Sequence, residues 1–83
     1  MGQERRGSRR IPEGLPKDWK KLAETMRNQG WTFEEGGRHV KVFAPDGITW
    51  ATLSKTPSDI RAFRNARARF RRWCRDRGLE PGI

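Results

Sequence analysis

Residues 60–77, "IRAFRNARARFRRWCRDR", hold eight arginines and a single acid, Asp76, a net +7 within a chain whose total is +9. No other stretch limits the fold as strongly. At about 100° per residue, Ile60, Phe63, Ala66, Phe70, Trp73 and Cys74 fall on one apolar stripe. Arg61, Arg64, Arg71, Arg72 and Arg75 fall within an arc of about 100° on the opposite side. The segment therefore reads as an amphipathic helix packed on something apolar, with a one-signed cationic surface outward. A helix face that serves only solvation mixes signs, because like charges one turn apart repel by a few tenths of a kcal/mol. Unmixed arginine points to a polyanionic partner.

Eighty-three residues amount to one small domain, and such a chain buries only about 60% of its unfolded surface. Fourteen of the 19 basic residues are Arg, whose forked guanidinium suits phosphate and stacks on rings. The basic balance implies nucleic acid first, with an anionic membrane or an acidic protein behind it. The excess of Arg tilts the choice to nucleic acid and away from a membrane. One cysteine, Cys74, permits no internal disulfide, and one histidine permits no Cys/His zinc site. No metal or cofactor is expected. No apolar run approaches the roughly 18 residues of a membrane span. "MGQERRGSRR" lacks the apolar centre of a signal peptide, and Arg6 stands where N-myristoylation wants Ser or Thr. The free thiol suits a reducing cytoplasm.

Residues 1–14, Gly-rich and basic with four arginines, are expected to form a disordered tail that touches a polyanion or only aids solubility. From Pro16, suited to the first helical position, Trp19, Leu22, Ala23 and Met26 follow helical spacing, Asp18 suits the first turn, and Gly30 supplies the stop. "WTFEEGG" alternates and closes in a Gly-Gly turn. "RHVKVFA" places Val40 and Val42 on one strand face, with His39 and Lys41 on the other. "PDG", residues 45–47, is a tight turn, and "ITWATL" is a third strand. Thr56 is expected to cap the last helix, with Pro57 at its first position, Asp59 close to a capping box and Gly78 as its end. The expected fold class is α+β in αβββα order. A three-stranded antiparallel sheet carries both helices on one face, in a domain spanning 15–79, followed by a tail at 80–83.

The succession of helix, Gly30-Trp31, Gly36-Gly37, His39, an alternating strand, Pro45-Asp46-Gly47, a third strand and "TPSDIR" resembles the HicA toxins. These are small ribonucleases of bacterial and phage toxin–antitoxin systems, with a fold like the double-stranded-RNA-binding domain. The resemblance spans roughly residues 17–79. It implies that His39 is the catalytic residue of a metal-independent endoribonuclease acting on mRNA, and that an antitoxin covers it. The chemistry suits the residue: an imidazole can take the 2′-hydroxyl proton of RNA while cations steady the charge on phosphorus. Lys41, two residues on and on the same face, is the expected phosphate clamp. Arg38, where the family has Gly or Ser, is read as a further nucleic-acid contact that points to the other strand face. Arg61, Arg64, Arg71, Arg72 and Arg75 would hold the strand. A non-catalytic RNA- or DNA-binding regulator, phage-encoded and using the arginine-rich helix, is the alternative; an arginine stripe docked on an acidic host protein is a third reading.

Overall fold

The computed structural model describes residues 7–56 and 58–83. The elements run α1 (Lys17–Asn28), β1 (Thr32–Gly36), β2 (His39–Phe43), β3 (Trp50–Ser54) and α2 (Ile60–Asp76). The strands form an antiparallel meander in the order β1-β2-β3. This is the α+β arrangement expected, with both helices on one face of the sheet.

That face is set by strand alternation. Phe33 pairs with Val42 and Val42 with Ala51, while Val40 pairs with Leu53, so these five side chains point the same way. All five are buried, together with Trp19, Leu22, Ala23 and Met26 from α1 and Ala66, Phe70, Trp73 and Cys74 from α2. Edge-to-face ring contacts join the layers: Trp31 meets Phe70 at 5.7 Å and Trp73 at 5.5 Å, and Trp19 meets Phe63 at 5.1 Å. Burial pushes the Cys74 thiol pKa up despite the nearby Arg77 charge, in keeping with a small core residue.

Both helices end alike. The Gly30 amide donates to Arg27 and the Trp31 amide reaches back to Met26; Gly78 and Leu79 do the same to Arg75 and Cys74. These are Schellman closures, with Gly30 at φ +92° and Gly78 at φ +68° in the left-handed conformation they require.

Several boundaries differ from the sequence expectation. Pro16 is the N-cap of α1 and not its first helical residue. The β1–β2 turn is Gly37-Arg38, because Gly36 already pairs with His39. Positive φ at Gly37 alone makes it a two-residue turn of the type II′ kind. Arg38 therefore sits at a hairpin tip and not at a strand position with a defined face. β3 starts at Trp50, leaving Ile48 in the loop. The N-cap of α2 is Asp59, whose Oδ1 accepts from the Ala62 amide at 3.3 Å, and not Thr56. Both are capping residues, and the one three positions before an open amide prevails. The Pro57 assignment lies outside the described residues. Ile60, the first residue of α2, is 60% exposed and so leaves the buried apolar stripe.

The described part of the N-terminal segment lies along the outer edge of β1. Ser8 and Phe33 exchange two backbone hydrogen bonds of 2.7 Å, and Ile11 packs against the core, as does Ile83 at the other terminus. Among the described residues, no helix is long and apolar enough to cross a membrane.

Candidate nucleic-acid interface

The eight arginines of residues 60–77 divide into two groups. Three are committed to the fold. The Arg67 guanidinium lies 5.8 Å from the Phe63 ring centroid. That of Arg69 lies 5.6 Å from the Trp50 ring, and Arg69 donates to the Trp50 carbonyl at 3.0 Å. Arg77 sits 4.5 Å from the Trp73 ring, donates to the Trp73 carbonyl at 3.3 Å and pairs with Asp46 at 3.1 Å. The other five, Arg61, Arg64, Arg71, Arg72 and Arg75, are exposed. Among the described residues, the ion pairs are Arg10–Glu13, Lys55–Glu35 and Arg77–Asp46, so none of the five is neutralised by a carboxylate. The cause is the helix itself. With Ala66, Phe70, Trp73 and Cys74 buried on the sheet, the opposite arc has to face solvent. From Arg61 to Arg75 it extends about 21 Å at 1.5 Å per residue, a length that spans roughly six phosphates of one strand of a duplex.

His39 and Lys41 are exposed on the other side of the molecule. They alternate with the buried Val40 and Val42, and so project from the open face of the sheet. Both helices cover the opposite face. The thickness of the sheet and of α2, a body about 10 Å across, separates the two groups. The site residues read from sequence thus form two surfaces: the five arginines on one, His39 and Lys41 on the other, with Arg38 at the hairpin tip beside His39. Along β2, His39 and Lys41 are about 7 Å apart. The His39 ring has no hydrogen bond or ion pair among the described residues, so no carboxylate fixes its tautomer.

Among the described residues, the most heavily bonded polar side chain lies elsewhere, in the 45–49 loop. Asp46 Oδ1 accepts from the Ile48 and Thr49 amides at 2.8 Å each, and Oδ2 accepts from the Thr49 hydroxyl at 2.7 Å and from Arg77. Burial opposes its ionisation, but these donors outweigh it and hold the pKa at about 2. Asp46 ties the β2–β3 loop to the end of α2. The "PDG" motif signalled the turn; the partner from 31 residues away left no local sign.

Sequence reasoning also missed Trp50. It is 48% exposed, whereas Trp19, Trp31 and Trp73 are each 4% exposed or less. Opposite Phe43 on β2, it stands at the outer edge of the sheet. A cleft of about 210 Å³ opens between it and α2.

Scans against family models, curated proteins and solved structures return no match to this chain.

Proposed function

We propose that this protein binds nucleic acid, with RNA favoured over DNA, through the outer face of α2. The supporting observation is five exposed, unneutralised arginines along about 21 Å of one rigid helix. Lysine-poor, arginine-rich surfaces make forked contacts to phosphate, and among the described residues none of these five arginines is paired with a carboxylate. Nucleic acid is the occupant that best uses such a linear array, ahead of an acidic protein segment. Binding should weaken steeply with salt, log K falling by roughly 0.7–0.9 per phosphate neutralised per tenfold rise in salt. Replacing Arg64, Arg71 and Arg75 with Gln should flatten that slope by about two to three units; an unchanged slope in a folded variant would locate the binding surface elsewhere.

A second reading extends this one to a HicA-like, metal-independent endoribonuclease in the cytoplasm, with His39 as the proton-transfer residue, Lys41 as its phosphate clamp and an antitoxin over the open sheet face. Two observations favour it: His39 and Lys41 are both exposed, and they share one face of β2. Incubation with labelled single-stranded RNA in EDTA tests it. Cyclic-phosphate ends should form with the wild type, and His39→Ala should remove roughly 10²–10⁴-fold of the rate. Cleavage undiminished in His39→Ala would end the nuclease reading and leave the binding reading in place.

A further inference from the structure

The cleft beside Trp50 has the composition of a binding site. Its apolar floor includes Ala62 and Ala66 of α2, and Trp50 of β3 forms one wall. Around this apolar part stand three polar side chains: Thr52, Asn65 and Arg69. Asn65 makes no hydrogen bond among the described residues, so both its amide donor and its acceptor are available to a ligand. Trp50 is held in place, because Arg69 bonds its carbonyl at 3.0 Å and lies against its ring. At about 210 Å³ the cleft is smaller than the roughly 300–1,000 Å³ that takes a drug-sized ligand. It has room for a single planar ring system, with a hydrogen-bonding edge directed at Asn65.

Its place on α2 identifies which ring system. At about 100° per residue, the cleft residues Ala62, Asn65, Ala66 and Arg69 occupy the sector that adjoins the arginine arc on the side of Arg61 and Arg72. A strand whose phosphates lie along that arc brings its nucleotides to the mouth of the cleft. A base paired inside a duplex cannot enter, since its edge and both its faces are already used; an unpaired one can.

We infer that the cleft between Trp50 and α2 takes one unpaired nucleobase of a nucleic acid bound on the arginine face, stacked on the Trp50–Arg69 pair and read by Asn65. This rests on the nucleic-acid reading above and adds a substrate class to it: strands with a bulged, flipped or single-stranded nucleotide. The array of arginines carries no preference for paired or unpaired nucleotides, so the preference comes from the cleft.

The test uses two probes, an RNA hairpin with one bulged adenine and the same hairpin with an abasic residue at the bulge. Stacking of one base on an aromatic ring is worth about 1–3 kcal/mol, so the adenine probe should bind about 5- to 150-fold more tightly. It should also quench the fluorescence of the exposed tryptophan, and the abasic probe should not. Trp50→Ala should bring the two affinities together while leaving that for the abasic probe nearly unchanged. Ala62→Leu, which fills the cleft and keeps the ring, should do the same to affinity and decides the matter if Trp50→Ala proves unfolded. Equal affinity and equal quenching for both probes in the wild type would overturn the cleft while leaving the arginine surface standing. If neither probe binds, the nucleic-acid reading fails and the cleft proposal falls with it.

Discussion

Replacing Asp46 with Ala should destabilise the fold by an amount that depends on pH. Asp46 is only 16% exposed, and its pKa is held at about 2, against 3.8 for an unperturbed aspartate. A folded-state pKa below the unfolded one means stabilisation that is complete above pH 3.8 and is lost as pH falls through the folded value. Integrating the proton linkage over this shift gives about 2 kcal/mol at pH 7, about 1 kcal/mol near pH 3 and a few tenths by pH 2. To this is added a pH-independent loss of about 1 kcal/mol for loop contacts that even a neutral acid would keep. Urea denaturation of wild type and Asp46→Ala at pH 7, 4, 3 and 2 measures the gap, and other carboxylates cancel because both chains carry them. The gap should be roughly 3 kcal/mol at neutral pH and shrink toward roughly 1 kcal/mol at pH 2, almost all of the change falling below pH 4. A gap that stays constant between pH 6 and pH 2 would refute the reasoning. So would one that widens in acid, since Asp46 would then not be the ionised hub its four donors imply.

Phe70→Ala should cost about 3–5 kcal/mol, since the ring is fully buried between Trp31 and Trp73. Against a total of roughly 4–12 kcal/mol for a domain of this size, that is a large fraction, and thermal denaturation should find the midpoint lowered by roughly 4–8 °C for each kcal/mol lost. A folded variant with weakened RNA binding would instead assign the ring to the interface. Gly7→Ala should release the N-terminal segment from β1, because Gly7 has φ +73° and a Cβ there would overlap the Phe33 carbonyl. Hydrogen exchange should show the Phe33 amide losing protection while that of Val40 is unchanged; retained protection at Phe33 would refute the edge pairing.

The helices and strands were legible because their periods are. Trp19, Leu22, Ala23 and Met26 repeat at the helical spacing, Val40 and Val42 at the strand spacing, and each set is buried as its pattern predicts. Errors gathered where chemistry at a boundary is degenerate. Thr56 and Asp59 can both cap a helix, and only the position of the Ala62 amide selects between them. Gly36 and Gly37 can each sit in a turn, and the cross-strand register selects Gly37-Arg38. The five outward arginines were legible as an arc on a wheel. That Arg69 is held by the Trp50 ring and carbonyl and Arg77 by Asp46 was not, because these partners lie 19 and 31 residues away. The separation of His39 from the arginines was implicit in the sequence. His39 and Lys41 oppose Val40 and Val42, and whatever covers the valines must turn its outer face away from the histidine.

That geometry constrains how one strand of nucleic acid could serve both surfaces. From the outer face of α2, the open face of the sheet can be reached only around an edge. On the β1 side, Ser8 is paired to Phe33 and the N-terminal segment lies along the strand. On the β3 side, the path crosses Ala62, Asn65 and Arg69, then the half-exposed ring of Trp50, then its cross-strand partner Phe43. From Phe43, Lys41 and His39 follow along β2 on the same face, at about 7 Å per step. The cleft is thus the passage between the arginine array and the histidine as well as a site in its own right. A duplex is too stiff to bend through it, with a persistence length of about 150 base pairs in the case of DNA, whereas a single strand can follow it. Cleavage at His39 and anchoring on α2 are therefore compatible on one molecule only for a substrate that is unpaired at the Trp50 edge.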